Sequence, residues 1–158
     1  MNELEQLYFA SKRKKDSPDQ IDSESKKTSL DAQKAPKTQG FMIIGRLDGL
    51  NEVIEANRRN KYEGNKIKKD NETIVIYYAR RGKLKPITKY PVKVVFRWFE
   101  KDRRRDWDNV ISAQKFILDG LQKGGYLKGD GQKYVDCIEH YEAIDKDKPR
   151  IEVEIIER

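Results

Sequence analysis

Residues 92–100, Val-Lys-Val-Val-Phe-Arg-Trp-Phe-Glu, put Val92, Val94, Phe96 and Trp98 at every second position. Successive side chains on a strand point to opposite faces, so these four make one apolar face that another layer must cover. Three other stretches read as strands. Phe41–Leu47 (FMIIGRL) is a short apolar run ended by Asp48-Gly49, and residues 133–144 carry a second apolar pattern. Residues 151–158 close the chain with Ile151, Val153 and Ile155 alternating. A turn, Asp-Lys-Asp-Lys-Pro-Arg, joins the last two, which are expected to pair as an antiparallel hairpin.

Helical periodicity fills the intervals. Residues 49–81 suit one long helix or two broken near Gly64, with Leu50, Val53, Ile54, Ile67, Ile74, Tyr77 and Tyr78 facing a core. A charged run, Lys-Asp-Arg-Arg-Arg-Asp-Trp-Asp-Asn (101–109), leads into a helix over 109–122. There Trp107, Val110, Ile111, Ile117, Leu118 and Leu121 should be core, and a glycine-rich loop follows at 123–132. The expected fold class is α/β, or α+β: a small mixed sheet of about four strands with helices. That domain spans 41–158. Residues 1–40 are almost purely polar, with Ile21 and Leu30 isolated, and cannot bury enough apolar surface to offset the entropy of ordering. They are expected to be a disordered extension, whose opening NELEQLYFA has the makings of a helical turn.

The charge balance narrows the partners. The chain carries 34 Lys and Arg against 27 Asp and Glu, a net charge of +7. The extension holds 8 against 7, which leaves 26 against 20 in the domain, so the basic excess belongs to the folded part. A soluble basic domain favours a polyanion, nucleic acid above all. A basic cluster, Arg58, Arg59, Lys61, Lys66, Lys68 and Lys69, lies around the expected helix break. Several chemistries are excluded or disfavoured. Cys137 is the only cysteine, so there is neither an internal disulfide nor a cysteine zinc site, and it reads as a buried small apolar residue. The single His140 argues against histidine-rich metal sites and a Ser-His-Asp triad, and reads as a packed residue. No apolar run approaches the roughly 20 residues a membrane span needs, and no signal-peptide core is present. The expected setting is cytoplasmic.

An enzyme with so few alternatives draws on carboxylates, lysines, hydroxyls or a bound ion. Asp106-Trp107-Asp108-Asn109, between strand and helix, offers two carboxylates one residue apart that can turn toward a single point on an extended backbone. All-oxygen ligands suit a hard cation, Mg²⁺ first, and such ions drive phosphodiester hydrolysis. Asp130, between Gly129 and Gly131, is the best candidate for a third acid. The competing reading is ordinary: Asp before an apolar helix is the usual N-cap, worth ~1 kcal/mol, and Asp130 is a turn residue. Asp108, Lys115 and Asp119 fall on one helical stripe, where Lys115 either faces a phosphate or the attacking water, or forms a surface pair with Asp119. Arg103, Arg104 and Arg105 either clamp a phosphate backbone or neutralise the neighbouring acids.

Taken in order, Arg103-Arg104-Arg105, Asp106 with Asp108-Asn109, Leu118-Asp119-Gly120-Leu121, Gly125, and Asp130 with Gln132 resemble the RusA family of Holliday-junction resolvases. About 50 residues carry the resemblance well, and it extends loosely over 42–158. It implies a small mixed α/β fold working as a homodimer that cuts four-way DNA junctions by paired nicks, with Mg²⁺ as cofactor. By that resemblance Asp106, Asp108 and Asp130 are catalytic and hold the metal, and Lys115 is the catalytic lysine. Counted forward from the acidic motif, Ser112 takes the lysine's place; counted back from Leu118-Asp119, Lys115 does, and Lys115 is preferred. The usual acidic pair is here Gly129-Asp130. Members of the family often sit in mobile or prophage elements, which implies a role in recombination or repair. Two alternatives stay open: a catalytically silent protein that binds branched DNA, and a nuclease acting on flaps or forks.

Overall fold

The computed structural model describes residues 36–158, so most of the polar extension, including NELEQLYFA, lies outside the described residues. The order of elements is β1 (Thr38–Ile44), α1 (Leu50–Arg59), α2 (Lys61–Arg81), β2 (Val92–Glu100), α3 (Trp107–Ile111), α4 (Gln114–Lys123), β3 (Val135–Ile144) and β4 (Arg150–Glu157). The four strands form one mixed sheet in the order β1-β4-β2-β3. The α+β fold expected from the pattern is therefore present. β1 starts at Thr38, ahead of the run FMIIGRL, and pairs antiparallel with β4 along its whole length, from Thr38 opposite Ile156 to Ile44 opposite Arg150.

β3 and β4 are not a hairpin. β2 lies between them, antiparallel to β4 and parallel to β3. The chain leaves β3 at Ile144, opposite Glu100, and re-enters the sheet on the far side of β2, where Arg150 pairs with Phe99. The short connection is pinned over the end of β2 by a hydrogen bond from the Asp145 amide to the Glu100 carbonyl (2.8 Å). β2 suits the middle of the sheet, since Val94, Val95 and Phe96 are all buried, whichever face they point to.

Val92, Val94, Phe96 and Trp98 share a face as expected and are all fully buried. They pack with Ile43, Ile151, Val153 and Ile155 against Val75 and Ala79 of α2, Val110 of α3, and Ile117, Leu118 and Leu121 of α4. Each such aliphatic or aromatic side chain contributes roughly 1.5–3 kcal/mol when removed from water. The opposite face is covered by long side chains. Lys93 pairs with Glu139, Arg97 with Glu154 and Arg150 with Glu152, while the Arg150 guanidinium lies 3.7 Å above the Phe99 ring.

The long helical segment is indeed two helices, but the break is at Asn60, four residues before Gly64. Asn60 caps α2, its side chain accepting from the Glu63 amide at 2.9 Å. Gly64 instead lies within α2 against the side chain of Asn57, which fills the space a methyl would need. Of the predicted core positions in this segment, Val53, Ile67 and Tyr78 pack against the core, whereas Leu50, Ile54, Ile74 and Tyr77 are substantially exposed. The buried stripe of α2 is Gly64, Asn71, Glu72, Val75 and Ala79, shifted round the helix and partly polar. Asn71 justifies its burial by tying α2 to the loop after β1: its amide donates to Asp48 (2.8 Å) and accepts from the Asp48 backbone (3.0 Å).

The helix predicted over 109–122 is also divided. The Ser112 hydroxyl donates to the Asn109 carbonyl (2.6 Å), and the next amides, of Ala113 and Lys115, bond three residues back rather than four. Side-chain competition of this kind tightens and interrupts a helix. Trp107, expected in the core, is 37% exposed at the head of α3. Cys137 is only half-buried. His140 packs on the sheet, stacked on Phe96 and accepting from the Trp98 indole (3.0 Å); burial pulls its pKa down, so it serves as a neutral acceptor.

Candidate nuclease site

Asp106 occupies the N-cap position of α3, yet its side chain makes no capping hydrogen bond. Among the described residues, Asp108 accepts only from the amide of Asn109, at 2.8 Å. Both carboxylates are exposed, so the helix does not use the acid that the capping reading would assign to it. Asn109, the last residue of the motif, does the opposite. It is buried, and its Oδ1 accepts from the Asn51 amide (2.9 Å), which fastens the start of α1 to α3. Gly49 is packed so tightly against Asn109 that no Cβ fits. The motif thus alternates outward carboxylates with an inward anchor.

The arginines divide the same way. Arg103 and Arg104 are exposed, and Arg104 pairs loosely with Asp102 (3.6 Å). Arg105 is turned inward, with its guanidinium on Glu100 (3.4 Å), on Glu52 (3.9 Å) and on the Leu47 carbonyl (3.3 Å). Glu52 keeps a lowered pKa although burial works to raise it, because backbone amides, its own and that of Gly49, and then the Arg105 charge stabilise its anion. A cleft of about 420 Å³ opens at this end of the sheet, between Arg103, Asp106 and Trp107 on one side and Glu142 and Ile144 of β3 on the other.

Lys115, at the start of α4, is the hinge of a second cluster. Its ammonium is 2.6 Å from Asp130 and 2.8 Å from Asp119, so the surface pair with Asp119 and the approach to a site acid occur together. Both acids hold the lysine pKa above its usual value, Asp119 more than Asp130. In return Lys115 lowers the pKa of Asp130. For Asp119, burial pushes upward, but Lys115 and Lys68 together bring the pKa below the usual carboxylate range. Ser112 is turned to the helix backbone and takes no part. Because α3 and α4 are separate, Asp108 does not continue the stripe of Lys115 and Asp119.

The donor chemistry of Asp106, Asp108 and Asp130 fits a hard divalent cation: three carboxylates, of which Asp106 and Asp108 are exposed and one residue apart and Asp130 is half-buried. Among the described residues, however, no three Asp, Glu, His or Cys side chains are arranged to share one ion. Asp130 is engaged by Lys115 instead. The basic cluster of the helical segment is dispersed. Arg59 pairs with Glu55 (2.6 Å), Lys68 reaches Asp119 (3.0 Å), and Arg58, Lys61, Lys66 and Lys69 are exposed. Arg59 and Lys66 also line a groove of about 530 Å³ between α1 and α2 whose five carboxylates make it a poor seat for DNA.

Residues 50–156 match the family model described as endodeoxyribonuclease RusA. The chain belongs to the RusA family. No curated protein matches it. Membership carries with it a DNA endonuclease acting on Holliday junctions, and the matched span contains α1 to α4, β2, β3 and nearly all of β4. Among the described residues no helix is long and apolar enough to cross a membrane.

Sequence reasoning did not reach Glu72, Glu52 or Glu100, the partners that hold Lys68, Lys123 and Arg105. Each lies far in sequence from the motif or is hidden in a helical or strand pattern. The one available signal was chemical, since a carboxylate in the middle of an apolar stripe needs a partner.

Proposed function

We propose that this RusA-family chain cuts four-way DNA junctions by paired symmetric nicks, using Mg²⁺ held by Asp106, Asp108 and Asp130. The observation that carries the reading is the Asp106 carboxylate, standing at a helix start without serving the helix. A solvated pair of acids beside DNA would repel the phosphates unless a cation intervened. Such an ion, when bound, orients and acidifies the attacking water and stabilises the leaving oxygen.

The chain's own residues supply the rest. Lys115 offers positive charge beside Asp130 for the phosphate as charge develops. Arg103, at the rim of the cleft, and the exposed Arg104 contact the DNA backbone, and Arg105 holds the loop that carries them. The exposed helical residues Arg58, Lys61 and Lys69 extend the contact along a second duplex arm. We propose further that the protein acts as a homodimer, because a junction presents two symmetric scissile strands and a two-fold pair offers one site to each. The nuclease domain then takes in β1 from Thr38, with the preceding residues as an extension, in a cytoplasmic protein of recombination or repair.

The test uses synthetic four-way, flap and linear duplex DNA with Mg²⁺, with Ca²⁺ and with EDTA. Mg²⁺-dependent nicking of the four-way substrate, abolished in Asp108→Asn while junction binding persists, is the expected result. Binding without nicking in any divalent ion would favour a silent branched-DNA binder. Preferential cutting of flaps would move the substrate, and unimpaired nicking by Asp108→Asn would remove the proposed metal set.

A further inference from the structure

Behind Lys115 stands a chain of alternating charges that the nuclease chemistry does not itself require. Asp119, almost fully buried in α4, reaches Lys115 with Oδ1 (2.8 Å) and Lys68 of α2 with Oδ2 (3.0 Å). Lys68 also approaches Glu72 (3.8 Å), which is buried and bonded on its other oxygen to Lys123. The two helices come close enough for this because residue 120 is glycine. A Cβ there would lie 2.9 Å from the Val75 side chain and 3.2 Å from the Glu72 carbonyl.

We infer that Asp119 is the positioning residue for Lys115 and that Lys68 and Glu72 hold Asp119 in place. The inference rests on the nuclease reading above and on the part given there to Lys115. A lysine has four rotatable bonds, and this one is 60% exposed, so a single acid at the end of a loop does not fix it. Asp119 can. It is nearly buried in the helix, sits one turn along, and has its second oxygen paired with Lys68, which leaves one oxygen for Lys115. Of the three N–H groups of the ammonium, one faces Asp119 and one faces Asp130. The third is without a partner among the described residues, which leaves it for a phosphate. Burying Asp119 and Glu72 carries a desolvation penalty that a purely structural helix contact would avoid with apolar residues. A positioning role accounts for the carboxylates.

The experiment is a double-mutant cycle on the full chain, measuring Mg²⁺-dependent nicking of a four-way junction over a range of DNA concentrations. Each protein is checked by thermal melting. Asp119→Asn should lower kcat by roughly tenfold or more, the scale of a misplaced catalytic group, while KM for the junction changes less than about twofold. Lys115→Met should be at least as slow, and Asp119→Asn with Lys115→Met should be no slower than Lys115→Met alone. Should Asp119→Asn fold poorly, Lys68→Met, in the middle of the network but with a half-exposed side chain, should still lower kcat in the parent chain and have no effect when combined with Lys115→Met. Multiplicative losses, or a melting shift with kcat intact, would overturn the inference. If Lys115→Met nicks at the parent rate, the part proposed for Lys115 falls as well. If Lys115→Met is slow while Asp119→Asn is not, the positioning inference alone falls.

Discussion

Gly49→Ala adds one methyl group at the N-cap of α1, far in sequence from the acidic motif but pressed against it. The backbone at Gly49 has φ −109° and ψ −169°, which any residue adopts, so the substitution meets no dihedral strain. Space is the whole of the effect. A Cβ would overlap the carbonyl oxygen and Oδ1 of Asn109 and lie 2.6 Å from Arg105 Nη2, inside the 3.0 Å that real Cβ contacts do not breach. The carbonyl is backbone and cannot swing aside, so either the start of α1 or the α3 turn moves. Overpacking of this kind costs about 1–3 kcal/mol. Losing the bond between the Asn51 amide and Asn109 adds about 1 kcal/mol. Together these predict a loss of roughly 2–4 kcal/mol, read as a lower urea midpoint with an unchanged slope. Because the displaced turn carries Asp106 and Asp108, nicking by the folded fraction should fall too, with junction affinity less affected. A Gly49→Ala protein within ~0.5 kcal/mol of the parent, the scatter of neutral surface changes, would refute the reasoning. Asn109 would then have slack that its close packing denies.

Four further outcomes follow from the site. Arg105→Ala should lower stability by about 3 kcal/mol, because it strands the nearly buried Glu100 carboxylate. Arg103→Ala should leave the urea midpoint unchanged while weakening junction binding and reducing its salt slope by about 1; the reverse pattern would exchange the two roles. For pH, the sign follows from the shifts. Asp119 and Asp130 have lowered pKa values, so their stabilisation is complete above the ordinary carboxylate value near 4 and is lost as pH falls through the folded value. Lys115 has a raised pKa, so its stabilisation is complete below the ordinary lysine value near 10.4 and is lost as pH rises through the folded value. Urea midpoints of Asp119→Asn measured from pH 3 to pH 11 should therefore vary less than the parent's at both extremes, and identical profiles would contradict the network. Finally, Trp98 is buried and Trp107 is not, so a change in tryptophan emission on adding junction DNA should come from Trp107 and vanish in Trp107→Phe. A change that survives the substitution would place the DNA elsewhere.

Where one element settled its own burial, the sequence was easily read. Val92, Val94, Phe96 and Trp98 alternate because a strand alternates, and every one is in the core. Pairing depended on more than local pattern. The turn between β3 and β4 suggested a hairpin, although Val94-Val95-Phe96 already marked β2 as a strand buried on both sides and so a candidate to lie between them. The helix break followed the same logic, since Gly64 looks like a breaker only when the Asn57 side chain opposite is unknown. The candidate site was legible as residue types and order, from Arg103 to Asp130, but not as contacts. Lys68 and Asp119 are 51 positions apart, and nothing in either helix announces that they meet. Lys115 presented a choice between a surface pair with Asp119 and a site residue; the pair with Asp119 is present, and the same ammonium also bonds Asp130. Within Asp-Trp-Asp-Asn the division of labour is finer still. A motif read as wholly chemical contains its own anchor, Asn109, which faces inward and fixes the turn from which Asp106 and Asp108 face out. That arrangement explains how a five-residue helix, too short to be stable alone, can present two carboxylates in a constant relation. Its rigidity is supplied by α1 and by Arg105 rather than by its own hydrogen bonds. Substitutions that loosen α1 should therefore impair cleavage before they unfold the sheet.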